Sequence, residues 1–558
     1  MHSQWPFEEA RRTEVTESVA RARGLVRCRL GAGGWLLAAV AAFWLGLVWL
    51  WDAGYLALAY DDAYYYLRTV ANLARGHGAT FDQVNTTNGF HPLWLLLVAG
   101  LSLIVGEDPA HLMRWMLTVQ ALLVIAGLIL LSTSFPRAGG WIVALGSLLV
   151  ATFYGSRALV SGMESGLQFA VLAAGLAFSS LDREKRASTT GAAVVRGVLG
   201  GLATLARVEA VVFGLVLVTL PLLWPAGCAA ADRRQRVRGA VLGLAAMAAC
   251  LAPYVAWSWL EIGHLTPVSG AIKASYGVPL WVRYGAGVSV AAAAVFAAAP
   301  LVVWFRLRRG VSPEALWLLR TMAPLVAYLA FLVAYNLFAR ASLMLDSLWY
   351  LVPHLVLAIV VGGVLLQALA AKRWGRWLTR AAVGVLSVAV LASWARVGFH
   401  PDRVEIRLAA RRSGEWIAAT LPEDALGAGW DIGIVAAHSR RRVMNLEGLI
   451  NSWDFKDRYL DKGRVGLYVD EIHRVDFIAQ RVFLEGLSSS GSSISGVDFS
   501  DWWVARSECV SVPRSILRPG LGVVHPIHLV LTRERIVAGP RYSALDGAAC
   551  SGLSLPVQ

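Results

Sequence analysis

The sequence predicts an all-α polytopic membrane protein of about eleven transmembrane helices, followed by a C-terminal extracytoplasmic α/β domain. Three observations predict it. Of 558 residues, 57% are hydrophobic and only 16% charged, against about 45–50% and about 25% in an average soluble domain. The apolar residues come in blocks instead of amphipathic stripes: Trp35–Trp51, Leu112–Leu131, Ala240–Trp259, Val288–Phe305, Leu316–Phe338 and Leu348–Leu369. A helix needs roughly 17–25 such residues to cross the hydrocarbon core. The net charge of +14 is parcelled into short clusters between blocks: Arg183/Lys185/Arg186, Arg233/Arg234/Arg236/Arg238, Arg306/Arg308/Arg309 and Lys372/Arg373/Arg376. That is positive-inside bias, and it speaks against nucleic acid as a partner and for the lipid bilayer.

The tail 1–31 carries Arg21, Arg23, Arg27 and Arg29, which place it in the cytoplasm. The first apolar block starts late and no small-residue cleavage pattern follows it, so it reads as a retained helix and not a secretory signal. If every block spanned, including Leu93–Val105, these arginines would face the opposite side from the four later clusters. Leu93–Val105 is too short to cross and is assigned as a re-entrant or interfacial helix. The spans then fall near 35–51, 112–133, 140–157, 165–181, 191–206, 210–225, 239–259, 286–305, 316–338, 348–370 and 379–396. Every basic cluster joins the N-terminus in the cytoplasm. Residues 32–396 become the transmembrane module of a multi-pass cell-membrane protein. Three segments face outward: a first loop at 52–111, a shorter loop at 260–285, and a soluble domain at 397–558.

That domain has mixed periodicity: an amphipathic helix at Val404–Leu421, strands near Leu426–Trp430 and Arg442–Leu446, and a helix near Val465–Arg474. Ser488–Ser495 is Ser/Gly-rich and is expected to be a loop. Cys28 and Cys228 fall in the cytoplasm and Cys250 in a span, which leaves Cys509 and Cys550 outside as the expected disulfide.

The first outer loop sets Asp61 and Asp62 immediately after a span, with Leu67, Val70, Leu73 and Ala74 at helical spacing behind them. An N-cap is the plain role for such acids. An adjacent pair at the bilayer surface can also supply a general base while the second carboxylate orients an acceptor or a cation. Asn88-Gly-Phe-His91-Pro-Leu-Trp94 makes a turn into the half-inserted helix, with His91 and Trp94 at the interface. Asn85-Thr-Thr matches a glycosylation acceptor triplet.

Charges near span ends are costly in lipid and face interior cavities. Arg114, Arg157, Glu164, Arg207 and Glu209 all fall at the membrane level of the acidic pair, which favours one outer-leaflet cavity. Lys273, on an expected short helix in the loop 264–276, is placed to neutralise a phosphate or to snorkel. Trp349 and Tyr350 are belt residues or walls of a lipid-sugar groove.

Taken together, Asp61-Asp62, Gly76-His77-Gly78, Thr80-Phe81-Asp82 and Thr87–Trp94 resemble the GT-C superfamily of membrane glycosyltransferases. Ser161–Glu164, Leu205–Glu209 and Thr266–Lys273 extend the resemblance over the first half of the chain. Asp431-Ile-Gly433 and Asn445–Leu449 are similar to motifs in outer domains of such proteins. The enzymes most similar are the polyprenyl-phosphate-sugar-dependent ones related to protein O-mannosyltransferases and mycobacterial arabinofuranosyltransferases. The resemblance implies a hexosyl- or pentosyltransferase with Asp61 and Asp62 carrying catalysis, Asp61 as base. The O-mannosyltransferases have Asp-Glu where this chain has Asp-Asp, so a protein acceptor is not implied over a glycan or lipid. Need for a divalent cation differs among relatives and stays open, and no other cofactor is indicated.

The residues support the same chemistry. A polyprenyl-phosphate donor leaves as a phosphate, which Lys273 and Arg207 would stabilise while Asp61 takes the acceptor proton in one inverting displacement. No phosphate-cradling Gly-rich loop marks a nucleotide site. The rival class is a non-enzymatic transporter or flippase of lipid-linked sugars, which would want internal repeats and broken helices at mid-membrane.

Overall fold

The computed structural model describes residues 31–181, 189–223, 233–276, 312–336, 348–398, 401–483, 493–494, 497–498, 502–509 and 526–533. The expected span at 286–305, most of the loop Ser488–Ser495, and Cys550 with its expected bridge to Cys509 lie outside them.

Helix α1 (Gly31–Trp49) opens the chain, and a short turn of helix at Gly54–Leu58 leads to α2 (Ala63–Ala74). In α3 (Pro92–Val105) the proline occupies the first turn, where its missing N–H costs nothing. Asp108 caps α4 (Pro109–Ser134), accepting the His111 N–H at 2.9 Å. Residues 140–157, expected as one span, divide into α5 (Gly139–Ala151) and α6 (Phe153–Leu159), bent by 94°. Thr152 causes the break: it leaves helical geometry at ψ 153° and its hydroxyl accepts the Gly155 N–H at 3.0 Å, starting a new helix.

The body continues through α7 (Ser165–Leu181), α8 (Thr190–Ala206), α9 (Val211–Leu223) and α10 (Arg233–Trp257). A π turn, Ser258–Ile262, extends α10 to Gly263, whose φ of 77° ends it as glycine readily does. Then come α11 (Val268–Tyr276), α12 (Pro313–Ala334), α13 (Val352–Ala370) and α14 (Gly375–Ser393). Among the described residues five helices are long and apolar enough to cross a membrane, six if the bent pair is one span. The shorter apolar helices include α3, α7 and α8. Large apolar side chains such as Leu103, Ile104, Val388 and Leu391 are exposed on the outside of the bundle, an arrangement that suits lipid.

After α15 (Pro401–Thr420) the chain turns to strands: β1 (Leu426–Gly429), α16 (Gly433–Ser439), β2 (Arg442–Asn445), β3 (Phe477–Phe483), β4 (Trp503–Cys509) and β5 (Pro526–Thr532). They form one sheet in the order β2-β1-β3-β5-β4, parallel at β2-β1-β3 and antiparallel at β3-β5-β4. The helix expected near 465–474 is a three-residue helix, Val465–Leu467, followed by a π turn, Tyr468–Ile472.

Strand alternation divides the sheet's two faces. Phe477, Ala479 and Val530 join the core shared with α15, α16 and the transmembrane body. Ile478, Leu529 and Leu531 pack on the other side with Met444, Phe455 and Trp502. The C-terminal α/β part is thus seated on the loop between α1 and α4 through a continuous apolar core. The β1-α16-β2 unit presents the carboxyl ends of two parallel strands to that loop, where α/β sheets place their ligand sites.

Candidate active site

The acidic pair lies at the start of α2, and its two carboxylates go different ways. Asp62 takes the N-cap position but makes no capping bond with its side chain. Asp61 accepts the N–H of Gly433 at 2.7 Å on one oxygen and that of Ile434 at 2.9 Å on the other. It therefore caps α16, more than 370 residues along the chain. A side chain at position 433 would run into the Asp61 carbonyl and carboxylate, so the approach requires glycine. Burial and the Asp431 charge push the Asp61 carboxyl up to about 7, against the pull of the two amides.

Asp62 faces Lys273, with Oδ2 3.8 Å from Nζ. Burial raises its pKa while Lys273 opposes the rise. Glu447 completes the acidic group from the soluble domain: the Tyr65 hydroxyl donates to it at 3.2 Å, and Asn445 donates to that hydroxyl at 3.1 Å. Burial, then Asp431, Asp62 and Asp61, push Glu447 up to about 8.

Beside this group sits a buried cluster of charge. The turn 160–164 is held by Gln120, whose side-chain oxygen accepts the N–H of Ser161 and Gly162, and by Trp94, whose indole donates to the Gly162 carbonyl at 2.9 Å. This turn fixes Glu164, fully buried, against Arg207, the Tyr66 hydroxyl at 3.0 Å and His91 at 3.4 Å. Arg207 also donates through Nε to Glu209 at 2.6 Å and lies 4.4 Å above the Tyr350 ring. Burial would raise the Glu164 pKa, but His91 and Arg207 outweigh it and hold Glu164 low. For His91 burial dominates and lowers its pKa, against the pull of Glu164.

A cavity of about 450 Å³ opens on this cluster, within the size range of small-ligand sites. His91, Arg207, Glu209, Lys273, Asn336 and Tyr350 line its polar part, and Val208, Val211, Phe331 and Leu332 its apolar part. Nε and Nη1 of Arg207 are taken by the two glutamates, which leaves Nη2 for a ligand. Lys273 lies 5.6 Å from the Trp349 ring.

The geometry brings together His91, Glu164, Arg207, Glu209, Lys273, Trp349 and Tyr350, with Asp62 joined through Lys273 and Asp61 next to it in the chain. Arg157 is one aromatic layer away: its guanidinium lies 3.9 Å from the Tyr60 ring, which packs on Trp349 at 4.5 Å. Arg114 does not join them. It binds the Asp52 carboxylate at 2.9 Å on an exposed flank. Trp94, expected at the interface, is instead buried under the turn that holds Glu164. The Asn85 amide donates to Asp82 at 2.7 Å and to Tyr468 at 2.8 Å, so its nitrogen is occupied and the triplet is not presented for glycosylation. Asp431, Glu447, Tyr65 and Asn336 were not singled out as site residues; only the similarity of the 431–433 and 445–449 motifs pointed near them. Among the described residues no group of three or more His, Cys, Asp or Glu is arranged to hold a metal ion.

Apolar helices whose connecting loops gather acids and cations, capped by a small α/β unit, define a polytopic membrane protein with the GT-C fold. Solved structures carry that assignment. ArnT from Cupriavidus metallidurans bound to undecaprenyl phosphate matches with a TM-score of 0.54 at 15% identity, over 91% of this chain and all (100%) of that one. The Archaeoglobus fulgidus oligosaccharyltransferase in complex with zinc and sulfate matches with a TM-score of 0.51 at 14% identity, over 81% of this chain and 68% of that one. Residues 401–514 match a family model described as a domain of unknown function, DUF8728. No curated protein matches the sequence.

Proposed function

We propose that the chain is a membrane glycosyltransferase that moves a sugar from a polyprenyl-phosphate donor to an acceptor hydroxyl on the extracytoplasmic face. The observation that carries this reading is the juxtaposition of Lys273 and Arg207 on a cavity wall with the Asp61–Asp62 pair beside them. The undecaprenyl phosphate in the similar ArnT structure supports a lipid-phosphate donor.

The roles follow from the differing surroundings of the two acids. Asp61, oriented by two amides and with a pKa near neutrality, takes the acceptor proton. Asp62, paired with Lys273, aims the ammonium at the donor phosphate. The acceptor oxygen bonds to the anomeric carbon as the bond from that carbon to phosphate oxygen breaks. The polyprenyl phosphate departs with the electron pair, its charge met by Lys273 and Arg207 Nη2, and the anomeric configuration inverts. Eleven spans, a cytoplasmic N-terminus, a transmembrane module over 32–396 and an outer domain from 397 in the cell membrane belong to the same proposal.

The test is transfer of radiolabelled sugar from polyprenyl-phosphate donors to membrane acceptors. Wild type should incorporate label, and Asp61→Asn should lose it by about 10²–10⁴-fold, the usual worth of a general base. In wild type the rate should rise with pH through about 7, because the base works only when ionised. Full transfer by a stably folded Asp61→Asn chain would move the base elsewhere. No transfer with any donor, alongside donor translocation in vesicles, would replace the enzyme with the flippase. Lys273→Met should lower kcat by about 10²–10³, as loss of one preorganised charge at a developing anion does. An unchanged kcat would remove Lys273 from the leaving-group site.

A further inference from the structure

A second cavity, of about 360 Å³, lies away from the acids, between the C-terminal half of α2, the start of α4 and the end of α16. Arg68, Arg75, Arg440, Glu107 and Asp108 line it. Arg68 is 6% exposed and donates through Nη2 to the Arg441 carbonyl at 2.7 Å. Its Nε and Nη1 have no acceptor and no carboxylate pairs with it among the described residues. A buried guanidinium with no carboxylate in contact is costly: burial, with Arg75 adding to it, lowers its pKa to about 10, and the more distant Asp82 and Glu107 only partly oppose the fall. Arg440 stands exposed at the end of α16 with φ 54°. Arg75 is paired with Glu107 at 2.5 Å, and Asp108 caps α4.

We propose that this cavity is a subsite for an anionic sugar of the acceptor, with Arg68 and Arg440 holding its phosphate or carboxylate and Glu107 and Asp108 accepting its hydroxyls. Guanidinium forks suit such oxyanions, and charge-assisted bonds are the strong ones. The placement fits an acceptor. Helices α2 and α16 run side by side, meeting at Asp61–Gly433 at one end and at Arg68–Arg441 at the other. Asp61 precedes Arg68 by seven positions, most of them in α2, which is about 10 Å at about 1.5 Å per residue. An oligosaccharide spans that interval and a single sugar does not.

The subsite rests on the transferase reading for its purpose, but binding tests it separately. Glucose 1-phosphate and glucose are titrated into the full chain in phosphatidylcholine nanodiscs, followed by saturation-transfer NMR. Glucose 1-phosphate should bind and glucose should not. Arg440→Gln, at an exposed position that tolerates change, should weaken binding by about tenfold or more, and Arg68→Gln should abolish it. No binding of glucose 1-phosphate by wild type overturns the subsite and leaves the transferase reading standing. Binding undiminished in Arg440→Gln and in a folded Arg68→Gln also overturns it. Loss of binding only when phosphatidylglycerol replaces phosphatidylcholine, unaffected by either variant, would make the anion site a lipid-headgroup contact elsewhere and would sink the proposal.

Discussion

Asp61, Asp431 and Glu447 press three carboxylates together with Asp62, which alone of them is shown facing Lys273 among the described residues. Burial and mutual repulsion lift Asp61 to about 7 and Glu447 to about 8, from ordinary carboxyl values of about 4. The folded chain therefore holds protons that the unfolded chain has released, and stability falls as pH rises from about 4 to about 8. Glu447→Gln removes the group with the higher value and relieves Asp61. Its melting temperature in detergent should match wild type near pH 5 and exceed it near pH 8. A wild-type advantage at both pH values would mean that Glu447 stabilises as an ion and that this account of the cluster is mistaken. Glu164, Arg207, Glu209 and Lys273 could be singled out from sequence because a charge at membrane depth needs a reason. Asp431 and Glu447 fall inside motifs noted only by resemblance, since an acid in a segment of mixed polarity costs nothing by itself. Their meaning comes from contacts across some 370 residues, which no local pattern encodes.

At the scale of elements, α16 is where the two halves of the chain meet. Its N-terminus lies at the carboxyl end of β1, reached through Asp431 in a left-handed conformation with φ 50°. The helix stays short because β2 must return beside β1 in parallel register, Leu426 opposite Arg442 through Gly429 opposite Asn445. A Cβ at position 433 cannot be fitted without displacing Asp61. Gly433→Ala should cost about 1–3 kcal/mol as overpacking does, and it should lower kcat through a misplaced base while leaving donor binding near wild type. Unaltered kcat would show that the amide clasp on Asp61 serves stability alone. The strands β1 and β2 and the helix α15 were legible because period and turn residues agree there. The bend at Thr152 was not, because one hydroxyl inside an apolar run scarcely changes its hydropathy yet supplies a helix cap.

For the whole molecule, a multi-pass membrane protein could be read from composition, but the docking of the C-terminal α/β part on the helices could not. That docking depends on single polar side chains used to capacity. Asn88 donates to Ser258 at 2.9 Å and to the Thr266 carbonyl at 3.0 Å, and its oxygen accepts the Val268 N–H at 3.0 Å and the Trp453 indole at 3.2 Å. One residue of the first loop thus ties the end of α10, the Lys273 helix and the soluble domain. His264 stacks on Trp453 with centroids 3.9 Å apart, closing the same junction. Asn88→Ala would leave up to three polar groups without partners, since Ser258 keeps its bond to the His264 carbonyl, at about 1–3 kcal/mol for each one that water cannot reach. The bundle itself does not depend on those bonds, so the chain should still insert and fold. The expected result is faster hydrogen exchange confined to the segments around 264–276 and 449–455, with a loss of transfer that more donor does not restore. Exchange unchanged in both segments would mean that the apolar core alone seats the domain. The alignment of Lys273 with the acidic pair would then owe nothing to Asn88.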